Sequence, residues 1–453
     1  MSDAAAAPGA FQGYGTKAYR AWVLFALVVV YTFNFIDRVL VSIVQEPIRA
    51  EFNLTDTQLG LLGGPTFAIL YTLLGIPIAR LAERKNRMTI LSVCVALWSG
   101  MTALCGMANS YVTLLLARIG VSIGEAGCTP PAQSVIGDYF PEDKRATAVS
   151  IYSLGVPLGS MLAAIGGGFI AEAMGWREAF LVLGLPGLAL AILVKLTVKE
   201  PPRSAAAGET PSFAQGFSAL LKKPSFWCAA LGGAVASFVG YGVGQFTNSF
   251  FMRSHELSIL QASQITGLLI GFFGAIGTFF SGWLADRLGK RFPNAIAWLP
   301  ALGFFIAAPL NIAGYMSTSL PLAVGLLAAA TLTQYFYLGA MYAIAQGVVH
   351  PRMRATAVAI LLFIVNLIGY GAGPPVIGAI SDAIANSQLA PAGLTLDACR
   401  AAGAAAAAAN PVCASASEVG LRWAIIIGFS GFFVAAALFL AAWRTLQRDW
   451  HRG

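Results

Sequence analysis

Two stretches of this chain occur twice, at nearly the same spacing. Arg145-Ala146-Thr147-Ala148-Val149 returns letter for letter as Arg354-Ala355-Thr356-Ala357-Val358. Leu81-Ala82-Glu83-Arg84-Lys85-Asn86-Arg87 is echoed by Leu284-Ala285-Asp286-Arg287-Leu288-Gly289-Lys290-Arg291, again between two apolar runs. Two matches at one offset imply two similar halves of a membrane protein, related as parallel repeats, and that architecture points towards a transporter.

With 57% hydrophobic and 11% charged residues, the chain lacks the polar surface that would keep a soluble globule of its size dissolved. The net charge of +8 could suggest nucleic acid. The basic residues, however, sit in short clusters between apolar runs of roughly 20 residues or more, which is a pattern of membrane topology. Twelve spans are expected, near residues 21–44, 58–81, 88–107, 111–139, 146–172 and 177–199, then 224–252, 263–285, 294–315, 320–349, 355–384 and 421–443. The expected fold is an all-α membrane protein with an amino-terminal six-helix bundle over 1–199, a linker over 200–223 and a carboxy-terminal six-helix bundle over 224–453.

Threading the chain through these spans places 21 of its 28 Lys and Arg on one face. The other face receives five: Arg49, Arg177, Arg253, Arg400 and Arg422. By the positive-inside rule the richer face is cytoplasmic, with both termini on it, in a bacterial-type inner membrane. The tail Met1–Gly15 is small and polar and the first apolar run lacks a small-residue cleavage signature, so the first helix is expected to remain uncleaved. In the linker, Phe213, Phe217, Leu220 and Leu221 fall at helical spacing before Lys222 and Lys223, which suits a short interfacial helix; a flexible tether is the other reading. Cys399 and Cys413 flank the alanine-rich Ala401–Asn410 in the one long outer loop, where the oxidising compartment favours a disulfide. The other four cysteines lie in or beside spans without metal-ligand spacing, and no metal is expected.

Function should show in the membrane interior. A charge at the bilayer centre costs roughly 2.5 to 3.5 kcal/mol on the insertion scale, yet the first span holds Asp37 and Arg38 and the fourth holds Arg118 and Glu125. Four such groups confined to one half favour a functional cluster over a merely structural ion-pair network. Arg118 and Glu125 stand seven residues apart and point the same way, about 10 Å apart along the helix axis. Asp37 and Arg38 diverge by about 100 degrees, so Asp37 is expected to reach Arg118 while Arg38 faces Glu125 or a ligand anion. Burial raises a carboxyl pKa and a nearby Arg lowers it, so moving the Arg away lets the acid take a proton. Asp37, Glu125 and Arg118 thus form a candidate proton switch.

Other function classes fit poorly. The three histidines, His255, His350 and His451, lie in loops or the tail and far apart, which excludes the clustered nucleophile, base or metal site of an enzyme. Gly166-Gly167-Gly168 lies in a membrane helix without a Walker lysine, so it reads as helix packing. A channel needs a polar path through the membrane, whereas charge here is confined to one half.

Gly282-Trp283-Leu284-Ala285-Asp286-Arg287-Leu288-Gly289-Lys290-Arg291 resembles the signature loop of the major facilitator superfamily; the first-half copy has Ala79, Glu83 and Asn86 in place of Gly, Asp and Gly. The resemblance implies two six-helix bundles, related by a pseudo-two-fold, around a cavity that opens alternately to either side. It implies a gating set of Glu83, Arg84, Arg87, Asp138, Arg145, Asp286, Arg287 and Arg354. Within it, Glu83 and Asp286 should cap helix starts across the bundle interface beside Arg145 and Arg354, and Asp138 should pair with basic loop residues. A narrower resemblance is carried by Phe33-Asn34-Phe35-Ile36-Asp37-Arg38, Arg118-Ile119-Gly120-Val121-Ser122-Ile123-Gly124-Glu125-Ala126 and Ile136-Gly137-Asp138-Tyr139-Phe140, which look like the Spinster branch. Spinster proteins carry lysophospholipids and sphingosine phosphates, which implies an amphiphilic substrate with an anionic head.

The second half offers no obvious central acid or base, but Phe246, Phe250, Phe251, Phe272, Phe273, Phe336, Tyr337 and Phe363, with Gln245, Asn248, Gln334 and Asn366, suit an acyl tail. The expectation is a proton-coupled lipid carrier, acting as a monomer, with no cofactor and no nucleic-acid partner. Arg38 would meet the head group, and Asn34, Tyr152, Ser153, Gln245 and Phe250 would help line the site. The alternative is a proton-linked carrier of soluble organic anions or drugs.

Overall fold

The computed structural model of the chain describes residues 13–202, 213–289, 292, 294–350 and 353–451. Of the basic residues counted for topology, Arg203, Lys290, Arg291, Arg352 and Arg452 lie outside them. Twelve helices long and apolar enough to cross a membrane follow one another. In the first half they run Lys17–Phe52, Asp56–Ala82, Arg87–Gly106, Tyr111–Tyr139, Thr147–Ala173 and Trp176–Thr197. In the second they run Pro224–His255, Ile259–Leu284, Ala295–Met316, Leu320–Gly347, Thr356–Ala392 and Pro411–Asp449. Every expected span is present. Twelve crossings bring the two ends of the chain to one face, called here the terminal face.

The spans end where local chemistry ends them. The first starts at Thr16, whose hydroxyl accepts from the Tyr19 amide, and stops at Asn53 in the left-handed conformation (φ 51°). Its 36 residues would reach about 54 Å at the helical rise, well beyond a hydrocarbon core of about 30 Å. Asn86, which stands where the superfamily signature has glycine, caps the third span by accepting from the Thr89 amide at 2.7 Å. The fourth span is two helices, Tyr111–Glu125 and Thr129–Tyr139. Pro130 and Pro131 lack the amide protons that a continuous helix needs, and they occupy the first turn of the second piece, where those protons have no partner anyway. The first piece therefore ends at Glu125.

The two halves repeat in their packing as well as in their sequence. A Cβ on Gly159 of the fifth span would meet the Thr32 carbonyl oxygen of the first at 2.4 Å, and one on Gly373 of the eleventh would meet the Phe238 carbonyl oxygen of the seventh at 2.6 Å. Gly159 and Gly373 bring backbones together within each bundle, while Gly371 of the eleventh span lies against Ala68 of the second, where the bundles meet. Wider π-helical turns interrupt the fifth, eighth and eleventh spans at Ala163–Gly167, Leu268–Phe273 and Asn366–Ala372.

Two connections differ from simple loops. The segment expected as a long loop, 385–418, is mostly helical: the eleventh span continues, short helices cover Leu396–Ala401 and Ala404–Ala409, and the twelfth begins at Pro411. Alanine has the highest intrinsic helix propensity, and the Thr395 and Asn410 side chains cap helix starts at Ala398 and at Val412 and Cys413. Cys399 and Cys413 are joined by a disulfide across this cap. In the linker, Phe213–Leu221 is a helix. Leu220 is buried, Leu221 and Phe217 are exposed, and the Trp227 indole donates to the Leu220 carbonyl at 3.0 Å.

Candidate functional site

Four ionisable side chains of the first half meet in the interior. Arg38 Nε donates to Glu125 Oε2 at 2.7 Å, and Glu125 is wholly buried. Asp37, 2% exposed, faces Arg118, Glu125 and the Thr102 hydroxyl. Arg118, equally buried, sends Nη1 to the backbone carbonyl of Asp37 at 3.4 Å. The expected Arg38–Glu125 contact is thus present, whereas Arg118 reaches the main chain of Asp37 in place of its carboxylate. Much of the hydrogen-bonding capacity here is unused: both amide atoms of Asn34, Glu125 Oε1, and Nε and Nη2 of Arg118 are buried without a partner. Asn34 faces Glu125.

Arg38 is where this cluster reaches open space. Its side chain, 18% exposed, lines a cavity of about 380 Å³ between the halves, and Glu125 stands behind it. No other Lys, Arg, Asp or Glu lines the cavity among the described residues. Its guanidinium carbon lies 5.0 Å from the Phe35 ring centre and 4.9 Å from that of Tyr71, a cation held against aromatic faces.

Of the residues expected on the opposite wall, Tyr337, Gln245 and Gln334 are there and the phenylalanines are not. Phe246, Phe250 and Phe251 are fully buried in the second bundle, and Phe272 and Phe363 are exposed away from the cavity. Tyr241, Tyr335, Tyr337 and Tyr370 line it together with Gln245 and Gln334. Phe429 and Phe432 also line it; a tyrosine there keeps a hydroxyl that wants a polar neighbour. Of the residues expected at the substrate, Arg38 and Gln245 are on the wall. Asn34 lies behind it and Phe250 packs on Tyr315, with ring centres 4.6 Å apart. Tyr152 stacks on Tyr31 at 4.4 Å, and Ser153 is exposed with its hydroxyl on the Val149 carbonyl; neither lines the cavity.

The repeated loops lie on the terminal face. Arg87 is buried and binds Asp138, Glu200 Oε1 at 2.6 Å and Ser134 Oγ at 2.9 Å. Arg145 donates to the Gly137 carbonyl at 2.7 Å. Arg84 and Arg354 are exposed, and Arg287 lies over the Trp283 ring. The side chains of Glu83 and Asp286 lie outside the described residues. Among the described residues, no ion pair joins the two halves on this face.

The far face is closed by a network that sequence reasoning missed. Arg253 of the seventh span binds both carboxylate oxygens of Asp56, at 2.8 and 2.7 Å, and Glu46 at 2.6 Å. The Ser381 hydroxyl donates to Asp56 at 2.6 Å. Asp382 accepts from the Asp56 and Thr57 amides at 3.0 and 2.9 Å, so an acid of the eleventh span caps the start of the second. The repeat supplies the counterpart, because Glu172 of the fifth span accepts from the Leu260 amide at the start of the eighth, at 2.8 Å. Acids capping helix starts across the bundle interface therefore occur on this face. Beneath them Gln45 and Gln245 join, the Gln45 amide donating to the Gln245 carbonyl at 2.8 Å and to Ser249 at 2.6 Å. A Cβ on Gly60 would meet the Pro374 carbonyl oxygen at 2.4 Å, so backbones also touch here. The available signal was the set of acids Glu46, Asp56 and Asp382 at helix ends beside the few arginines of this face.

The chain's relatives share this architecture. Residues 24–374 match the sequence profile of the Major Facilitator Superfamily. An MFS-type efflux pump of Mycolicibacterium smegmatis is 35% identical over 367 residues, 81% of this chain and 85% of that protein. Protein spinster homolog 3 of Danio rerio is 30% identical over 377 residues, 78% of this chain and 74% of that one. The crystal structure of a bacterial homologue of the human lysosomal transporter Spinster, inward-facing and unoccupied, has a TM-score of 0.89 at 40% identity and covers 97% of this chain and 100% of its own. Twelve spans in two repeated halves around a central cavity, with these relatives, establish that the chain is a membrane transporter of the major facilitator superfamily and belongs to its Spinster branch.

Proposed function

We propose that this transporter couples proton movement to the movement of an anionic amphiphile such as a lysophospholipid or a sphingosine-phosphate-like lipid. The observation that carries the reading is the Arg38–Glu125 pair: one partner lines the cavity and the other is sealed behind it. A substrate anion drawn to Arg38 competes with Glu125 for the same guanidinium. Once released, Glu125 is a buried carboxylate without its counter-charge, a state that favours taking up a proton. A proton on Oε1 would find Asn34 facing it. Asp37 and Arg118 act as a second, coupled pair, since a change in charge on Glu125 is felt by both across a medium that screens poorly. Substrate anion and proton thus enter one equilibrium, and the halves rock about it.

The closed far face suits a resting state open to the terminal side, which the basic-residue count favours as cytoplasmic. The location in a bacterial-type inner membrane and a monomeric state belong to the same proposal, as do gating roles for Arg84, Arg87, Asp138, Arg145, Arg287 and Arg354 on the terminal face.

One observation favours a second reading: a 35%-identical relative is named an efflux pump, and a tyrosine-rich wall accepts planar drugs as readily as lipids. Transport of labelled lysophospholipid by purified protein in vesicles, with and without a pH difference, separates them. Gradient-stimulated lipid movement supports the lipid reading; movement of drugs without competition by lysophospholipid contradicts it.

A further inference from the structure

Away from Arg38, on the carboxy-terminal side, the cavity wall holds a group of uncharged hydrogen-bonding side chains from three neighbouring spans. Thr266 comes from the eighth, Asn311 and Tyr315 from the ninth, and Thr331 and Gln334 from the tenth. Thr266, Asn311, Tyr315 and Thr331 are each less than a tenth exposed. Asn311 donates to Gln334 Oε1 at 3.4 Å, and the Tyr315 hydroxyl lies 3.1 Å from that of Thr247. The Thr266 hydroxyl is buried without any partner.

Thr331 and Asn311 also donate to the Leu327 and Ala307 carbonyls, at 2.7 and 3.0 Å, which leaves the Thr266 hydroxyl as the unpaired group, and such a group opposes contact with hydrocarbon. A wall meant for a second charge would carry an opposite one, and the carboxy-terminal side has none among its lining residues. Amides and hydroxyls that both donate and accept suit a partner that does the same, namely an uncharged polyol or amide. The Gln334 amide, with its oxygen engaged by Asn311, has N–H groups left to offer, and Thr266 can serve as either donor or acceptor.

We propose that the substrate carries, besides the anion that meets Arg38, an uncharged hydroxyl- or amide-bearing group that docks among Thr266, Asn311, Tyr315, Thr331 and Gln334. This rests on the reading of Arg38 as the anion site. It narrows the substrate class to anionic amphiphiles with a neutral polar head extension, and it distinguishes them from those ending in a bare or simply esterified phosphate.

The test is equilibrium binding to the purified full chain, followed by tryptophan fluorescence, of two lipids with the same acyl chain and the same single negative charge. Lysophosphatidylglycerol carries two hydroxyls beyond its phosphate; lysophosphatidylmethanol carries none. The wild type should bind the glycerol lipid about tenfold more tightly, the worth of one or two well-made hydrogen bonds. Asn311→Leu with Gln334→Leu should erase that ratio by weakening the glycerol lipid alone, and Thr266→Val, nearly isosteric, should reduce it in part. Arg38→Ala should weaken both lipids alike. A wild-type ratio near one overturns the proposal even if the double variant does not fold, as does equal weakening of both lipids by the double variant. If Arg38→Ala leaves both affinities unchanged, or neither lipid binds the wild type, the anion site itself is wrong and the pocket assignment falls with it.

Discussion

Arg253 and Asp56 form a bidentate ion pair between the two halves of the protein, with Nη1 2.8 Å from Oδ2 and Nη2 2.7 Å from Oδ1. Asp56 also takes the Ser381 hydroxyl, so one carboxylate ties the first half to both the seventh and eleventh spans. A buried pair of this kind matters most when one member is removed, because the survivor keeps its desolvation cost without compensation. Asp56→Asn should therefore shift the population towards opening of the far face. Spin labels at Asn109→Cys and Thr318→Cys, both exposed on that face, would report longer distances in the variant; an unchanged distribution contradicts the latch.

The same face can be pried apart without touching a charge. A Cβ on Gly378 would lie 2.3 Å from the Asp56 carbonyl oxygen, and one on Gly60 2.4 Å from that of Pro374. Both obstacles are backbone, which cannot swing aside as a side chain can. Gly378→Ala and Gly60→Ala should each produce the same lengthening between the labels as Asp56→Asn, with a slower transport cycle. Wild-type distances and rates in both variants would show that the spans have slack here.

On the terminal face, Arg87 is 3% exposed and is held by Asp138 and Glu200. Removing one partner of a buried pair costs roughly 3–5 kcal/mol. Since Glu200 and Ser134 still hold Arg87 in Asp138→Ala, the loss should sit near the lower limit, about 3 kcal/mol. A fall in the melting temperature of the detergent-solubilised variant checks this; an unchanged melting temperature would place the interaction outside the stable fold.

The alanine-rich cap is stapled by Cys399–Cys413, 14 residues apart, over a small cluster of its own containing Leu389, Leu396 and Ala416. Closing a loop of about this length is worth about 3 kcal/mol of local stability. Reduction, or Cys399→Ser, should raise protease cleavage or amide exchange within 396–410 by about 100-fold while the twelve spans keep their protection. Equal protection in reduced and oxidised protein would show that helix capping alone holds the cap.

The twelve spans were legible because the bilayer imposes one rule, long apolar runs with charge at the ends, that any window of sequence reveals. The Arg38–Glu125 contact was legible for a related reason: ionisable residues in such runs are few, and helical geometry limits which can face each other. The far-face network was not. Arg253 and Asp56 are 197 residues apart, and charges at helix ends look the same in sequence whether they meet water or each other. The cap was misread as a loop because an all-alanine helix has no apolar stripe to mark its period. The cavity wall was legible in part: Tyr337, Gln245 and Gln334 were expected there and line it, whereas Phe246, Phe250 and Phe251 do not. Aromatic content alone does not separate Phe250, which fills the core, from Tyr337, whose hydroxyl lies 3.2 Å from that of Ser237 at the cavity wall.

The central claim is that a proton on Glu125 and a substrate anion on Arg38 share one equilibrium. The most direct test is pH-gradient-driven transport of lysophospholipid in vesicles by the wild type, Glu125→Gln and Asp37→Asn. The account predicts that both variants keep lipid binding and the fold but lose the stimulation by a pH difference, because an amide cannot exchange a proton. Glu125→Gln moving lipid with the wild-type rate and the wild-type response to pH would contradict it.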